Sequence, residues 1–419
     1  MKTKPKIGIL SLGCPRNLVD SETILGRLKE KGYSLVDISQ AEIGIVNTCA
    51  FIEEAKKESV EAILDLIDLK QKGRLKKIIV YGCLAQRYKD RLRKELPEVD
   101  VFVGSISLNH ATTTFRLTPG HYAYLKICEG CINNCSYCVI PNIKQRFTSL
   151  KIDSILDRVR DYERNRLSEL NIIGQDISGY GIDLYGEIKL PALLKEIVKI
   201  TKHIGWIRLL YLYPDSFRIT EELLELIASE PRICKYIDIP LQHINNRILK
   251  LMHRHTTKSD TLKLIDKIRK KISGVAIRTS LIVGFPSETD REFQELVKFI
   301  EEAKFERLGV FMYSREEGTP AFNFKSQILE KVKSERFGEI MSKQQEIARQ
   351  INQQFLGQVV DVLIDEVKKD SYLGRTQADA PEVDGLVYVR SDKKLTRGDF
   401  VKVKITDTLE YDLVGELAK

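Results

Sequence analysis

Between residues 6 and about 325, short β-branched runs alternate with amphipathic helical patterns, and that rhythm restricts the chain to parallel sheets joined by crossover helices. The first series contains "KIGILSL", "EIGIVNT", "KIIVYG" and "VDVFVG", with "SETILGRLKEKG" and "EEAKKESVEAILDLIDLKQKG" between them. It predicts a compact parallel α/β domain over 5–118, with Asp20 or Ser21 capping its first helix. "RLTPGH" at 116–121 supplies Pro and Gly at the boundary. The second series offers six strands, "YAYLKI", "LNIIGQ", "WIRLLYLY", "YIDIPL", "VAIRTSLIVGF" and "RLGVFMYS". Six βα units predict an incomplete (β/α) barrel inside a core over 119–350, with its chemistry at the strands' C-terminal ends. A long polar helical stretch follows, and then short alternating runs with Gly-containing turns predict a small antiparallel β-barrel over 355–419.

At 419 residues the chain is long enough for three such domains. It has no run of eighteen apolar residues, so a membrane partner is not expected. The opening "MKTKPKIGILSLGCPRN" has an apolar stretch too short for an export signal and reads as a first strand. A cytoplasmic chain with reduced thiols is therefore expected, and its 8 cysteines do not make a disulfide framework. A net charge of +8 from 67 basic and 59 acidic residues describes a two-signed surface more than a nucleic-acid footprint.

Two groups of cysteines stand out. Cys14, Cys49 and Cys83 each come directly after an apolar run, in "ILSLGC", "IGIVNTC" and "IIVYGC". Strand C-termini of a parallel sheet share one edge, so the three can converge on one metal centre, with helix N-termini aimed at the thiolates. Three buried structural cysteines are the alternative. The second group lies in "CEGCINNCSYC", where Cys131, Cys135 and Cys138 form C-x-x-x-C-x-x-C in the loop after the first barrel strand. That spacing can grip three irons of a four-iron, four-sulfur cluster and leave the fourth open to a ligand. Adding Cys128 makes a four-cysteine electron-transfer or zinc site conceivable, although the two C-x-x-C pairs lie far closer together than in zinc ribbons. Cys234 reads as an ordinary buried cysteine beside a strand.

The C-x-x-x-C-x-x-C run, with an aromatic before its last cysteine and opening an α/β barrel, resembles the radical S-adenosylmethionine (SAM) enzymes. With a three-cysteine α/β domain before it and a β-barrel after it, the whole chain resembles the methylthiotransferases. The resemblance implies two 4Fe–4S clusters, on Cys14, Cys49 and Cys83 and on Cys131, Cys135 and Cys138, with SAM on the open iron of the second. Cys128 is then a bystander. Gln175 and Asp176 in "IIGQD", Arg278 and Gly284 in "RTSLIVGFPSET", and the stretch "YSREEGTPA" at 313–321 are similar to family segments, and the first four are candidate cofactor contacts. The family's Pro-x-x-Arg-Gly after the last cysteine is replaced here by Pro141, Lys144 and Gln145.

The family divides into enzymes that modify a tRNA adenosine and RimO-type enzymes that modify an aspartate of small-subunit ribosomal protein twelve. "GCPRNLVDSE" at 13–22, "DIPLQH" at 238–243 and "GRTQADAPEVDG" at 374–385 resemble the second type. Residues 355–419 carry 10 basic and 13 acidic residues, a net −3 beside +11 for the rest, which suits a basic protein substrate better than tRNA. His243 and Arg375 are candidate substrate contacts, with a capped loop and a solvated arginine as the plain alternatives.

An aspartate β-carbon gives acid–base catalysis little purchase, and radical chemistry answers that difficulty. The resemblance implies that an external electron donor reduces the barrel cluster and that cleaved SAM abstracts the hydrogen. Sulfur then comes from the N-terminal cluster, and a further SAM supplies the methyl group. A tRNA adenosine methylthiotransferase and a non-catalytic iron–sulfur RNA-binding protein are the rival expectations.

Overall fold

The computed structural model describes residues 4–104, 115–144, 146–369 and 371–418, and Gln145 lies outside them. The chain divides into two compact units. The first comprises residues up to Thr118 together with 129–148 and 316–322, and the second holds the remainder.

In the first unit β1 (Lys6–Ser11), β2 (Ser34–Leu35), β3 (Ile43–Thr48), β4 (Lys77–Gly82) and β5 (Val101–Val103) form a parallel sheet in the order β2-β1-β3-β4-β5. Alternation along the strands sends side chains to two faces. Val46, Ile78 and Val80 join Ile63 and Leu66 of α2 (Glu53–Gln71) and Leu84 and Leu92 of α3 (Cys83–Glu95). Ile45 and Tyr81 meet Ile24 and Leu28 of α1 (Pro15–Glu30) on the opposite side. Both faces are covered, which is why the strands read as nearly continuous apolar runs. The two-residue β2 is too short to leave a periodic signal in the sequence.

α1 corrects the sequence reading. It starts at Pro15, with Cys14 at the N-cap, and it carries Asp20 and Ser21 as buried interior residues instead of caps. Proline at N1 is the start signal, because its missing N–H and fixed φ suit the first helical position. The helix therefore begins directly after a cysteine.

In the second unit six parallel strands, Tyr122–Lys126, Glu169–Ile173, Trp206–Leu209, Tyr236–Asp238, Ala276–Val283 and Arg307–Met312, follow one another in chain order. They form two three-stranded sheets, tied by a bridge between Ile207 and Ile233 and by the Leu212 amide donating to the Asp238 carbonyl at 2.9 Å. No ladder among the described residues joins the first strand to the sixth, so the barrel is incomplete as expected. After the helix Glu330–Gln353, five strands close a small barrel. One of its junctions, Val387–Arg390 with Leu413–Leu417, is parallel, where sequence alternation predicted antiparallel pairing throughout.

The loop "TQADAPEVDG" of the small barrel meets the N-terminal ends of the larger barrel's strands. Asp379 takes Arg307 at 2.5 Å, Asp384 takes Tyr236 at 2.7 Å and Arg278 at 3.3 Å, and Glu382 takes Tyr122 at 2.9 Å. Arg375 reaches Glu169 at 2.6 Å and Asp365 at 2.7 Å, and Arg208 donates to Glu169 at 2.8 Å. Arg208, Arg375 and Glu169 are fully or almost fully buried. Removing one member of such a buried pair typically costs about 3–5 kcal/mol, because the partner's charge is left without compensation.

Candidate functional site: two cysteine sets in one unit

Cys14, Cys49 and Cys83 come off the C-terminal ends of β1, β3 and β4. Asn17, in the first turn of α1, links the three loops. Its Nδ2 donates to the Leu12 carbonyl at 3.1 Å and to the Thr48 carbonyl at 3.2 Å, its Oδ1 accepts from the Cys83 thiol at 3.8 Å, and its carbonyl accepts from Asn47 at 2.7 Å. Ser59 of α2 grips Cys49 at both backbone groups, each at 2.9 Å. Two glycines make room. Gly13 has φ +83, and a Cβ there would lie 2.7 Å from the Cys49 Cβ; Gly82 has φ +103, and a Cβ there would lie 2.4 Å from the Asn47 Oδ1. Any other residue at either position would be strained and would collide with a neighbouring cysteine-bearing loop.

Cys131, Cys135 and Cys138 belong to the same compact unit. The Asn133 amide and Nδ2 donate to the Cys131 Sγ at 3.4 and 3.3 Å, and the Cys138 amide donates to the Cys135 carbonyl at 3.1 Å. The segment after the sixth barrel strand supports this loop. The Ala321 amide donates to the Ser136 carbonyl at 2.9 Å, and the Asn142 Nδ2 donates to the Gly318 carbonyl at 2.8 Å. Buried Glu316 pairs with Arg87 at 2.8 Å and Lys56 at 3.0 Å, which fixes that segment to α3 and α2.

The two sets share a core. Ala50, Leu84 and Val139, the residues after Cys49, Cys83 and Cys138, lie in one buried cluster with Ile143. Nearby, Lys144 pairs with Asp20 of α1 and with Glu129, both at 3.2 Å. This buried lysine stands where the family's arginine is expected, and its charge reaches Cys83.

The thiols differ in acidity. Burial works to raise Cys14, but the Arg16 guanidinium, with Nε 3.3 Å from the sulfur, and the Arg16 and Asn17 amides outweigh it and bring the pKa below the ordinary thiol value. Such N–H groups at a helix start favour a thiolate. Burial pushes Cys83 up to about 12 despite Lys144, and burial with the neighbouring Cys135 pushes Cys138 up to about 12. No three His, Cys, Asp or Glu side chains among the described residues are close enough to hold a single metal ion. A four-iron cluster asks for a wider set, since each thiolate takes a different iron. N–H donors aimed at Cys14 and Cys131, and glycines that let the loops approach, suit anionic sulfur ligands of this kind.

The remaining sequence candidates belong to the second unit. Asp176 caps the turn Ile177–Gly179, accepting from the Ser178 amide at 3.0 Å and from Arg218 at 2.8 Å. Arg278 lies near the N-terminal end of its strand, between Asp238 and Asp384, in the barrel-floor network. Gly284 does have a positive φ of +69, but the approach it permits is that of Lys333, whose Cγ would stand 2.3 Å from a Cβ. His243 is buried, with Nε2 3.0 Å from Glu288 and Nδ1 accepting from the Asn245 amide at 3.0 Å, and Arg375 is held in the floor network. Gln175 lies two residues beyond the end of the second strand. Cys128 is fully buried, its thiol 3.5 Å from the Asp176 carbonyl and against Gly174, where a Cβ would lie 2.4 Å from the sulfur. Cys234 is buried as expected, its thiol pushed up to about 11 by that burial. Sequence reasoning missed Asn17, Ser59 and Glu316, although Asn17 lies inside the "GCPRN" motif.

Family comparisons agree with this architecture. The uncharacterized protein family UPF0004 matches residues 6–104, the Radical SAM superfamily 125–300 and the TRAM domain 356–418. In the solved structure of the radical SAM methyltransferase TsrM from Kitasatospora setae the likeness has a TM-score of 0.55 at 13% identity, covering 85% of this chain and 79% of that one. Apo OxsB, a cobalamin-dependent radical SAM enzyme, gives 0.53 at 12% identity, covering 82% of this chain and 61% of that one. At such identities the likeness shows the fold alone. Fold and cysteine arrangement together define a radical SAM enzyme of the α/β class.

Proteins named ribosomal protein uS12 methylthiotransferase RimO are more closely related. That of Clostridioides difficile is 46% identical over 98% of each chain, that of Caldanaerobacter subterraneus subsp. tengcongensis 48% over 98% of this chain and 99% of its own, and that of Geobacter sulfurreducens 43% over 99% of each. The chain belongs to the RimO family of radical SAM methylthiotransferases, enzymes of SAM and 4Fe–4S chemistry. No helix among the described residues is long and apolar enough to cross a membrane.

Proposed function

We propose that the enzyme replaces a β-carbon hydrogen of an aspartate of ribosomal protein uS12 with a methylthio group. Two 4Fe–4S clusters would be held, one by Cys14, Cys49 and Cys83 and one by Cys131, Cys135 and Cys138. The observation that carries this reading is that residues adjoining both sets, Ala50, Leu84 and Val139, lie in one buried core, so two three-thiolate sets are built into a single compact unit. The names of the full-length relatives and the RimO-type stretches support the choice of substrate.

When bound, a reduced cluster supplies the electron that splits SAM into a hydrogen-abstracting radical, and a second cluster supplies sulfur. The electron comes from a donor outside the chain. The chain's own residues prepare for this. Asn17, Ser59, Gly13 and Gly82 hold three separate strand ends in register, Asn133 and Arg16 direct N–H groups at sulfur, and Lys144 pairs with Asp20 and Glu129. Gln175, just beyond the end of the second barrel strand, is the side chain proposed to meet SAM. The acidic excess of the tail barrel does not support the protein substrate as the sequence suggested, since Asp365, Asp379 and Asp384 turn into the barrel floor.

Anaerobic incubation of reconstituted enzyme, SAM and a reductant with uS12 and, separately, with tRNA tests the reading. Mass spectrometry should find a gain of about 46 Da on one aspartate of uS12, the expectation for methylthio replacing hydrogen. The same gain on tRNA with none on uS12 would assign the chain to the other branch of the family.

A further inference from the structure

The two cysteine sets share an apolar core, and burial of that kind is non-directional: it keeps Ala50, Leu84 and Val139 together without fixing the separation of the thiols beside them. Hydrogen bonds from a planar, rigid group do fix such a relation. Arg87 supplies them. It lies in α3 one turn after Cys83, beside the kink that Tyr88 makes with φ −129, and its side chain is only 8% exposed.

Its Nη1 donates to the carbonyl of Ala50, the residue after Cys49, at 2.9 Å. The same Nη1 donates to the Glu316 carboxylate at 2.8 Å, and Nη2 donates to the Glu317 carbonyl at 2.5 Å. Glu316 opens a tight turn, closed by the Thr319 hydroxyl on its carbonyl at 2.7 Å and passing through Gly318 at φ +80. That turn grips the other cysteine loop twice. The Gly318 carbonyl accepts from Asn142 at 2.8 Å, and the Ala321 amide donates to the carbonyl of Ser136, between Cys135 and Cys138, at 2.9 Å. One guanidinium therefore joins the Cys83 helix and the Cys49 loop to the segment that holds loop 131–138.

We infer that Arg87 is a positioning residue that sets the separation of the two cysteine sets, required for methylthio transfer and not for SAM cleavage. This rests on the two-cluster reading proposed above. Lys56 is the natural control, because its ammonium is divided between the same Glu316 carboxylate at 3.0 Å and Glu53 at 2.6 Å. It shares the carboxylate with Arg87 but not the bond to Ala50.

Hydrogen exchange in metal-free, full-length protein, read by mass spectrometry, compares wild type, Arg87→Met and Lys56→Met. Peptides over 49–52 and 131–142 should exchange roughly tenfold faster in Arg87→Met, the scale of a lost charged hydrogen bond, and close to the wild-type rate in Lys56→Met. Reconstituted enzyme with SAM, reductant and uS12 then gives the 5′-deoxyadenosine formed per methylthio group transferred. That ratio should rise by about tenfold or more in Arg87→Met, with SAM cleavage near the wild-type rate, since transfer is sensitive to misplacement of about 1 Å. Lys56→Met should keep the wild-type ratio, and Arg87→Lys, which keeps the charge and loses the fork, should fall between. An unchanged ratio, unchanged exchange or a matching loss of SAM cleavage in Arg87→Met would overturn the inference. Equal changes in Arg87→Met and Lys56→Met would also overturn it, by making compensation of Glu316 the whole effect. If Arg87→Met does not fold or take up clusters, Arg87→Lys decides, and an unchanged ratio there counts against Arg87. Wild-type enzyme that cleaves SAM and leaves uS12 unmodified would instead count against the proposed function, and the exchange comparison would then decide for Arg87 by itself.

Discussion

The two cysteine sets are built in opposite ways. Cys131, Cys135 and Cys138 lie within eight residues of one loop, so local spacing alone brings them together. Cys14, Cys49 and Cys83 span 70 residues and meet only because three parallel strands end on one edge and Asn17 links the loops beyond them. The first depends on chain geometry over two turns; the second depends on the whole α/β domain folding correctly. Damage to the fold should therefore reach the N-terminal set first, while damage to the loop should leave that set intact.

Changing Cys131, Cys135 and Cys138 together to Ala should reduce 5′-deoxyadenosine production to background, whereas the same change at Cys14, Cys49 and Cys83 should leave SAM cleavage running and abolish methylthio transfer. Chromatography of 5′-deoxyadenosine beside mass spectrometry of uS12 reads both, and equal loss in the two variants would erase the division of labour.

Asn17→Ala sharpens it. Removing that amide leaves the Leu12 and Thr48 carbonyls without their buried donor, a loss of about 2–4 kcal/mol in stability of the unit by the usual cost of unsatisfied groups. Thermal unfolding should show the lower stability, and iron analysis should show selective loss from the N-terminal set. Undiminished iron would mean that the strands alone hold the three cysteines in place.

A smaller contrast lies in acidity within the metal-free protein. Cys14 is held below the ordinary thiol value, so a larger share of it is thiolate near neutral pH, while Cys83, pushed up to about 12, stays protonated until strongly alkaline solution. Since the thiolate is the nucleophile, iodoacetamide at about pH 8 should label Cys14 well before Cys83, as peptide mapping would show. Arg16→Gln should narrow the gap, because the guanidinium that favours the thiolate is gone. Smallest of all, Cys128→Ser should leave SAM cleavage nearly unchanged, because that thiol meets the Asp176 carbonyl and Gly174. Loss of the barrel cluster in that variant would return Cys128 to the ligand set.

Much of this was legible in the sequence, for identifiable reasons. Strands buried on both faces leave long apolar runs, so all six barrel strands and four of the five in the first sheet could be read directly. The cysteine placements were legible because strand ends in a parallel sheet share an edge. What escaped depends on tertiary partners. For Arg278 and Arg375 the sequence could not show the partners in the barrel floor, where a loop about a hundred residues beyond Arg278 supplies Asp384 and Arg375 meets Glu169. Gly284 signalled a close approach without saying by what, and the answer is Lys333 from the long helix. Asn17 carried no periodic signal, since its role lies in hydrogen bonds to backbone over thirty residues away.

On the reading proposed here, two separate three-thiolate sets each hold a cluster. Mössbauer spectra with iron and sulfide analysis of anaerobically reconstituted full-length protein test it most directly. The account predicts about eight irons and eight sulfides per chain in two four-iron clusters, falling to about four in either cysteine triple variant. About four irons in the unaltered protein, or full occupancy that survives loss of Cys14, Cys49 and Cys83, would contradict it.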